Sequence, residues 1–175
     1  MSTANRDLDR AVERLRQAAA VVSAQPLVAF PDGPRSTVVR FRNSTRLRAF
    51  GPLHGSSLTA FVSLETSSVV REFAGDGVIT RSYRIALLDR AEREVLAWHW
   101  QPGPEFAGPD YPHLQVSAAV GFPDARGHRT MVDLDKVHLP TGPVSLAGVV
   151  RMLVEEFGVQ PVVADWRERL AGEPV

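Results

Sequence analysis

The hydrophobic positions near the start of the chain recur with a helical period. Leu8, Val12, Leu15, Ala19 and Val22 form one apolar stripe, and Arg10, Glu13, Arg14 and Arg16 lie off it. The spacing predicts a helix over about 6–24, with Asn5 as N-cap, Asp7 favourably placed in the first turn and Pro26 as the stop. From residue 27 to about 140 the period drops to two. Val39 and Phe41 alternate with Arg40 and Arg42, and Leu58, Ala60, Val62 and Leu64 oppose Phe61. Further on, Tyr83, Ile85 and Leu87 share a face, as do Leu96, Trp98 and Trp100, and as do Leu114, Val116, Ala118 and Val120. Turn-forming residues separate these runs: Pro31–Pro34, Gly51-Pro52, Gly75–Gly77, Asp89–Glu92 and Pro123–Gly127. The helical period returns with Leu146, Val149, Val150, Leu153 and Phe157, behind Ser145 as N-cap and before Gly158 as terminator. A last short helix is expected near Asp165, where Asp165 and Glu168 suggest a capping box.

These elements define an α+β fold. The expectation is a mainly antiparallel meander of five to seven strands, with an N-terminal helix and one or two C-terminal helices packed on one face. Short gaps between most strand runs favour hairpins over parallel crossovers. The 175 residues suffice for one domain with a proper core, so 1–175 is read as a single domain. The predicted core includes Leu96, Trp98, Trp100, Leu114, Val116, Val150, Leu153 and Phe157.

Composition narrows the chemistry. The 20 basic residues balance the 20 acidic ones, which argues against a basic nucleic-acid coat over the whole surface. All of the basic residues but Lys136 are arginine, a bias that a GC-rich genome explains without selection for function. The absence of cysteine excludes disulfides, thiolate metal sites and a cysteine nucleophile. No apolar run is long enough to span a membrane, and the charged start does not resemble a signal peptide, so a cytoplasmic protein is expected. Phosphate-binding glycine loops, the G-x-S-x-G turn, H-E-x-x-H and the EF-hand loop do not occur. No cofactor is implied.

Side chains with chemical potential gather around a proline-rich stretch, Gln101 to Pro112, with prolines at 102, 104, 109 and 112. His99 ends the strand before it and His113 starts the strand after it. Each opposes its strand's apolar face. If both apolar faces cover one core, the two imidazoles share the other side and can serve as acid and base. Phe106 and Tyr111 lie in the loop as core plugs or contact residues. Arg35, Arg40, Arg42, Arg46 and Arg48 fall in a stretch without acids, and Arg84 belongs to a neighbouring strand. Such a basic stripe suits phosphates or an acidic partner. Asp133, Asp135 and His138 are metal-friendly residue types, but strand parity turns His138 away from the two carboxylates, so no metal site is expected.

The segment from Tyr83 to Gly142 also resembles the small TumE-like toxins of bacterial toxin–antitoxin modules. The residues that carry the resemblance are Tyr83-Arg84-Ile85-Ala86-Leu87-Leu88-Asp89, Leu96-Ala97-Trp98, Tyr111-Pro112-His113-Leu114 and Leu139-Pro140-Thr141-Gly142. The doubled histidine of that pattern is missing, since Leu114 follows His113. The resemblance implies a toxin acting on RNA or translation, with Tyr83, Arg84 and His113 at the matching positions. Two functional expectations follow. In one, His113 and His99 catalyse acid–base chemistry on RNA, while Arg40, Arg42, Tyr83, Arg84 and Tyr111 bind it. In the other, the chain is a non-catalytic module whose proline-rich loop and open sheet face bind a protein such as an antitoxin. A homodimer fits either.

Overall fold

The computed structural model describes residues 3–66, 77–104, 108–117, 119–123, 126, 129–134 and 137–171. Helix α1 spans Thr3–Ala20, so it begins before Asn5, the expected N-cap, which lies within the helix. Its stripe is as the period requires: Val12, Leu15, Ala19 and Val22 are buried. Val21 and Val22 donate to Ala18 and Ala19 at 3.2 Å, tightening the chain after the last turn, and both are buried as well.

Ten strands follow among the described residues: β1 (Val28–Pro31), β2 (Ser36–Arg40), β3 (Thr45–Arg46), β4 (Ser57–Thr66), β5 (Val78–Leu88), β6 (Glu94–Trp100), β7 (His113–Val116), β8 (Ala119–Pro123), β9 (Arg129–Asp133) and β10 (Val137–Pro140). The main sheet has eight strands in the order β1-β2-β4-β5-β6-β7-β10, with the short β3 paired to β4. Every pairing is antiparallel. It departs from a pure meander at one place that matters. The separate hairpin β8–β9 leaves the sheet, and the chain returns as β10 to pair with β7.

Helix α2 (Leu146–Glu155) is capped as its sequence predicts, with the Gly148 N–H donating to Ser145 Oγ at 3.0 Å. Helix α3 is the single turn Trp166–Arg169. The expected capping box does not form there: the Asp165 carboxylate pairs with Arg169 at 3.0 Å and makes no side-chain cap bond.

One sheet face and the helices share a core. Val39, Leu58, Ala60, Val62, Leu64, Ile85, Leu87 and Trp98 from the sheet meet Leu15, Val22, Leu146, Val150 and Leu153 from α1 and α2. Leu96, Trp100 and Leu114 pack at its margin and are only partly buried. Phe157 corrects the predicted core: it is 40% exposed. Helix α2 ends at Glu155, and Gly158, at φ 68, turns the chain so that the Val159 N–H reaches the Leu153 carbonyl at 3.0 Å. Val159 is thereby buried in Phe157's stead. Among the described residues, no helix is long and apolar enough to cross a membrane.

Candidate active site

The face turned away from the helices carries the candidate chemistry. Strand register sets Arg40, Phe61, Arg84, His99 and His113 opposite one another in a row across β2, β4, β5, β6 and β7. His99 and His113 share a face, as alternation predicts, and the register makes them direct cross-strand partners with ring centroids 5.6 Å apart. The next strand adds a histidine that sequence parity alone did not bring to this face. His138 on β10 lies opposite Gln115, diagonal to His113, and its ring centroid is 4.7 Å from that of His113. Three imidazoles therefore stand side by side across β6, β7 and β10. They line a recess of about 230 Å³ with Gln101, Gly108, Pro109 and Gln115.

The proline-rich loop fixes the recess from above. The Trp100 indole N–H donates to the Asp110 carbonyl at 3.2 Å, and the Thr141 N–H donates to the Pro112 carbonyl at 2.9 Å. His113 is buried, with 3% exposure, and its Nδ1 lies 3.0 Å from the Tyr111 carbonyl. A carbonyl only accepts, so Nδ1 carries the proton and Nε2 holds the lone pair. His113 Nε2, His99 Nε2 and His138 Nδ1 are all buried without a hydrogen-bond partner. Buried nitrogens in that state are uncommon, because each loses the hydrogen bond it would make in water. Three in one recess mark it as a place for a ligand with polar groups. Among the described residues, no group of three His, Asp or Glu side chains is arranged to hold a metal ion. The histidines follow one another across the strands and do not surround a point.

Charge at the site is specific. Burial, then the positive field of Arg84, then the neighbouring His113 and His138 push His99 down to about 4. At neutral pH His99 is thus an uncharged imidazole. Arg84 is paired with Glu94. The register sets Glu94 against Leu88, so this ion pair reaches past Ala86 and Ala97, both fully buried on the same face.

The remaining expected site residues fall in different places. Tyr111 flanks the recess, 43% exposed, with its ring 6.1 Å from that of His113. Arg40 lies on the correct face with its guanidinium 5.1 Å above the Phe30 ring. It stands three strands from His99, roughly 14 Å away at ordinary strand spacing, too far to share one phosphate with the histidines. Arg42 lies beyond the end of β2 and is exposed. Tyr83 is a correction. It is 2% exposed on the helix-facing side, and its hydroxyl accepts the Val144 N–H at 3.1 Å. Burial pushes its phenol up. Tyr83 thus anchors the chain entering α2 and does not reach the recess. Phe106 and Asp135 lie outside the described residues.

No family model, no curated protein and no solved structure matches this chain.

Proposed function

We propose that the recess between β6, β7 and β10 is an acid–base site that cleaves RNA. The observation that carries this reading is the directly opposed pair His99 and His113, each presenting a buried, unpartnered Nε2. His99, neutral at pH 7, takes the proton from a ribose 2′-hydroxyl. The 2′-oxygen then forms a bond to phosphorus as the bond to the 5′-oxygen breaks. For this step His113 must take up a second proton, at Nε2, beside the one its Nδ1 directs at Tyr111; it gives that Nε2 proton to the departing 5′-oxygen, leaving a 2′,3′-cyclic phosphate and a free 5′-hydroxyl. Arg84, next in the row, supplies positive charge to the phosphoryl oxygens once it turns from Glu94. The resemblance of residues 83–142 to TumE-like toxins points to the same substrate class.

The test is cleavage of a defined RNA oligonucleotide as a function of pH. A bell-shaped profile with its acid limb near pH 4 and cyclic-phosphate products is expected. His113→Ala and His99→Ala should each lower the rate by about 10²- to 10⁴-fold. A flat profile, or full activity in either variant, would sink the reading.

A second reading has an observation of its own. Among the described residues β10 ends the sheet, and Val137, Leu139 and nearby Tyr111 are 36%, 46% and 43% exposed. An open strand edge with exposed apolar side chains suits an added strand from a protein partner, as in a module that binds an antitoxin-like protein. Under that reading Leu139→Asp abolishes complex formation, and the histidine variants leave it intact.

A further inference from the structure

A second surface, at the far end of the sheet, has the chemistry of a strand-docking groove. The segment Thr45 to Phe50 alternates strictly: Thr45, Leu47 and Ala49 are buried, and Arg46, Arg48 and Phe50 are exposed. The backbone is pinned from both sides, since the Leu47 N–H donates to the Ser56 carbonyl at 3.0 Å and the Arg48 carbonyl accepts the Gln160 N–H at 2.6 Å. An extended, fixed segment therefore presents two guanidinium groups and one aromatic ring on one side, two residues apart each time. Phe50 is 77% exposed, more than any other large hydrophobic residue described.

The β5–β6 turn supplies the facing wall. Arg90 lies across Gly55, whose φ is 82; a Cβ there would come 3.2 Å from Arg90 Nε. Gly55 thus gives the turn its left-handed backbone and leaves room for the arginine. The groove so formed is about 590 Å³, is bordered also by His54, and has no carboxylate in its lining. Arg16, Arg81, Arg84, Arg93 and Arg169 all pair with acids. Arg46, Arg48 and Arg90 make no ion pair among the described residues. A protein with zero net charge has therefore gathered around one exposed ring three guanidiniums that make no ion pair among the described residues.

We propose that this groove binds single-stranded RNA, with Arg46, Arg48 and Arg90 on its phosphates and Phe50 stacked on a base. The choice of RNA over another polyanion rests on the proposed function above. Unpaired bases offer the flat faces that a protruding phenyl ring can use, and arginine meets phosphate with two parallel hydrogen bonds. A peptide of acidic residues alone satisfies the guanidiniums but offers no flat apolar face to Phe50. The groove lies at the turn preceding β6 and the histidine recess at that strand's other end, roughly 20 Å away by strand rise. It acts as a remote hold on the strand, separate from the chemistry.

The experiment measures anisotropy of a fluorescein-labelled single-stranded RNA oligonucleotide with the full chain across a salt series, with cleavage of the same oligonucleotide followed in parallel. Circular dichroism verifies that each variant is folded. Arg48→Ala/Arg90→Ala should weaken binding and reduce the slope of log K against log salt by about 1.4, at about 0.7 for each phosphate left without its arginine. Phe50→Ala should weaken binding roughly tenfold and leave that slope unchanged. Binding that depends on these residues without cleavage leaves the groove standing and removes the catalytic reading. Cleavage by a protein whose groove variants bind as the wild type does overturns the groove and spares the recess. Tighter binding of a polyglutamate peptide than of the RNA also overturns the proposal, as does no binding to RNA at all.

Discussion

His99 concentrates the electrostatics of the site, and its behaviour is measurable. Burial is the main reason its imidazolium is disfavoured, and Arg84 comes second. An NMR titration should find its midpoint at about 4, and Arg84→Met should raise it, because removing a positive neighbour favours the protonated ring. A midpoint near 6.5 in the wild type would mean the ring is solvated. The same shift has a consequence for stability. The folded value lies below the ordinary 6.5, so the unfolded chain takes up this proton first as pH falls. Stability from the neutral, buried ring is complete above 6.5 and drains away between 6.5 and about 4. The facing groups are Arg84 on β5, His113 on β7 and His138 on β10. His99→Gln should flatten the fall of Tm across that window, and an unchanged slope would contradict the assignment. The shared face of His99 and His113 was legible from alternation, because each ring opposes its strand's apolar face, whereas their direct pairing depends on the β6–β7 register. His138 was not, since its place depends on β10 returning to β7 after a hairpin, a long-range pairing that no local pattern encodes. Tyr83 is instructive for the opposite reason. Alternation grouped it with Ile85 and Leu87 on the core side, and only the family resemblance assigned it a binding role.

At the scale of elements, the caps and faces divide into those that local chemistry determines and those that tertiary context decides. Ser145 belongs to the first kind: its hydroxyl satisfies the Gly148 N–H, and Ser145→Ala should cost about 1 kcal/mol. Trp98 and Phe157 were both expected in the core by their periods. The strand alternation of Trp98 holds from Leu96 to Trp100, past the register shift that turns Glu94 to the other face, and Trp98 is 5% exposed. Phe157 continues the helical period of α2, but the chain has left the helix by then and reverses at Gly158. Trp98→Ala should therefore cost roughly 3–5 kcal/mol. Phe157→Ala should cost under about 1 kcal/mol, as for side chains that bury little surface. Chemical denaturation of the two variants checks the contrast directly, and equal losses of stability would mean that Phe157 packs more deeply than its exposure indicates. The failed capping box at Asp165 has a related cause. Arg169, one turn on, competes for the carboxylate, and a charged partner holds it more strongly than a neutral N–H.

Across the whole molecule, one apolar cluster joins the beginning, middle and end of the chain. Leu15 and Val22 of α1 and the turn after it, Leu58 and Ile85 of the sheet, Leu153 of α2 and Leu170 after α3 all belong to it. Leu170 is fully buried, and its carbonyl accepts from Arg151 Nη2 at 2.7 Å, which ties the last turn to α2. The Trp166–Arg169 turn is too short to be stable alone, since a single helical turn does not repay its nucleation. Its order must come from this docking. One shared core predicts one cooperative transition. The tryptophans report on separate regions: Trp98 and Trp100 on β6, Trp166 at α3. In a variant carrying Trp98→Phe and Trp100→Phe, the fluorescence of Trp166 should lose its native signal at the denaturant concentration where far-ultraviolet circular dichroism loses the sheet. Comparing both probes within that variant removes the effect of the substitutions on overall stability. Coincident curves would establish that the C-terminal turn unfolds with the domain. An earlier fluorescence transition would show that α3 and Leu170 detach as a separate unit, and the single-domain reading of residues 1–175 would then end before Trp166.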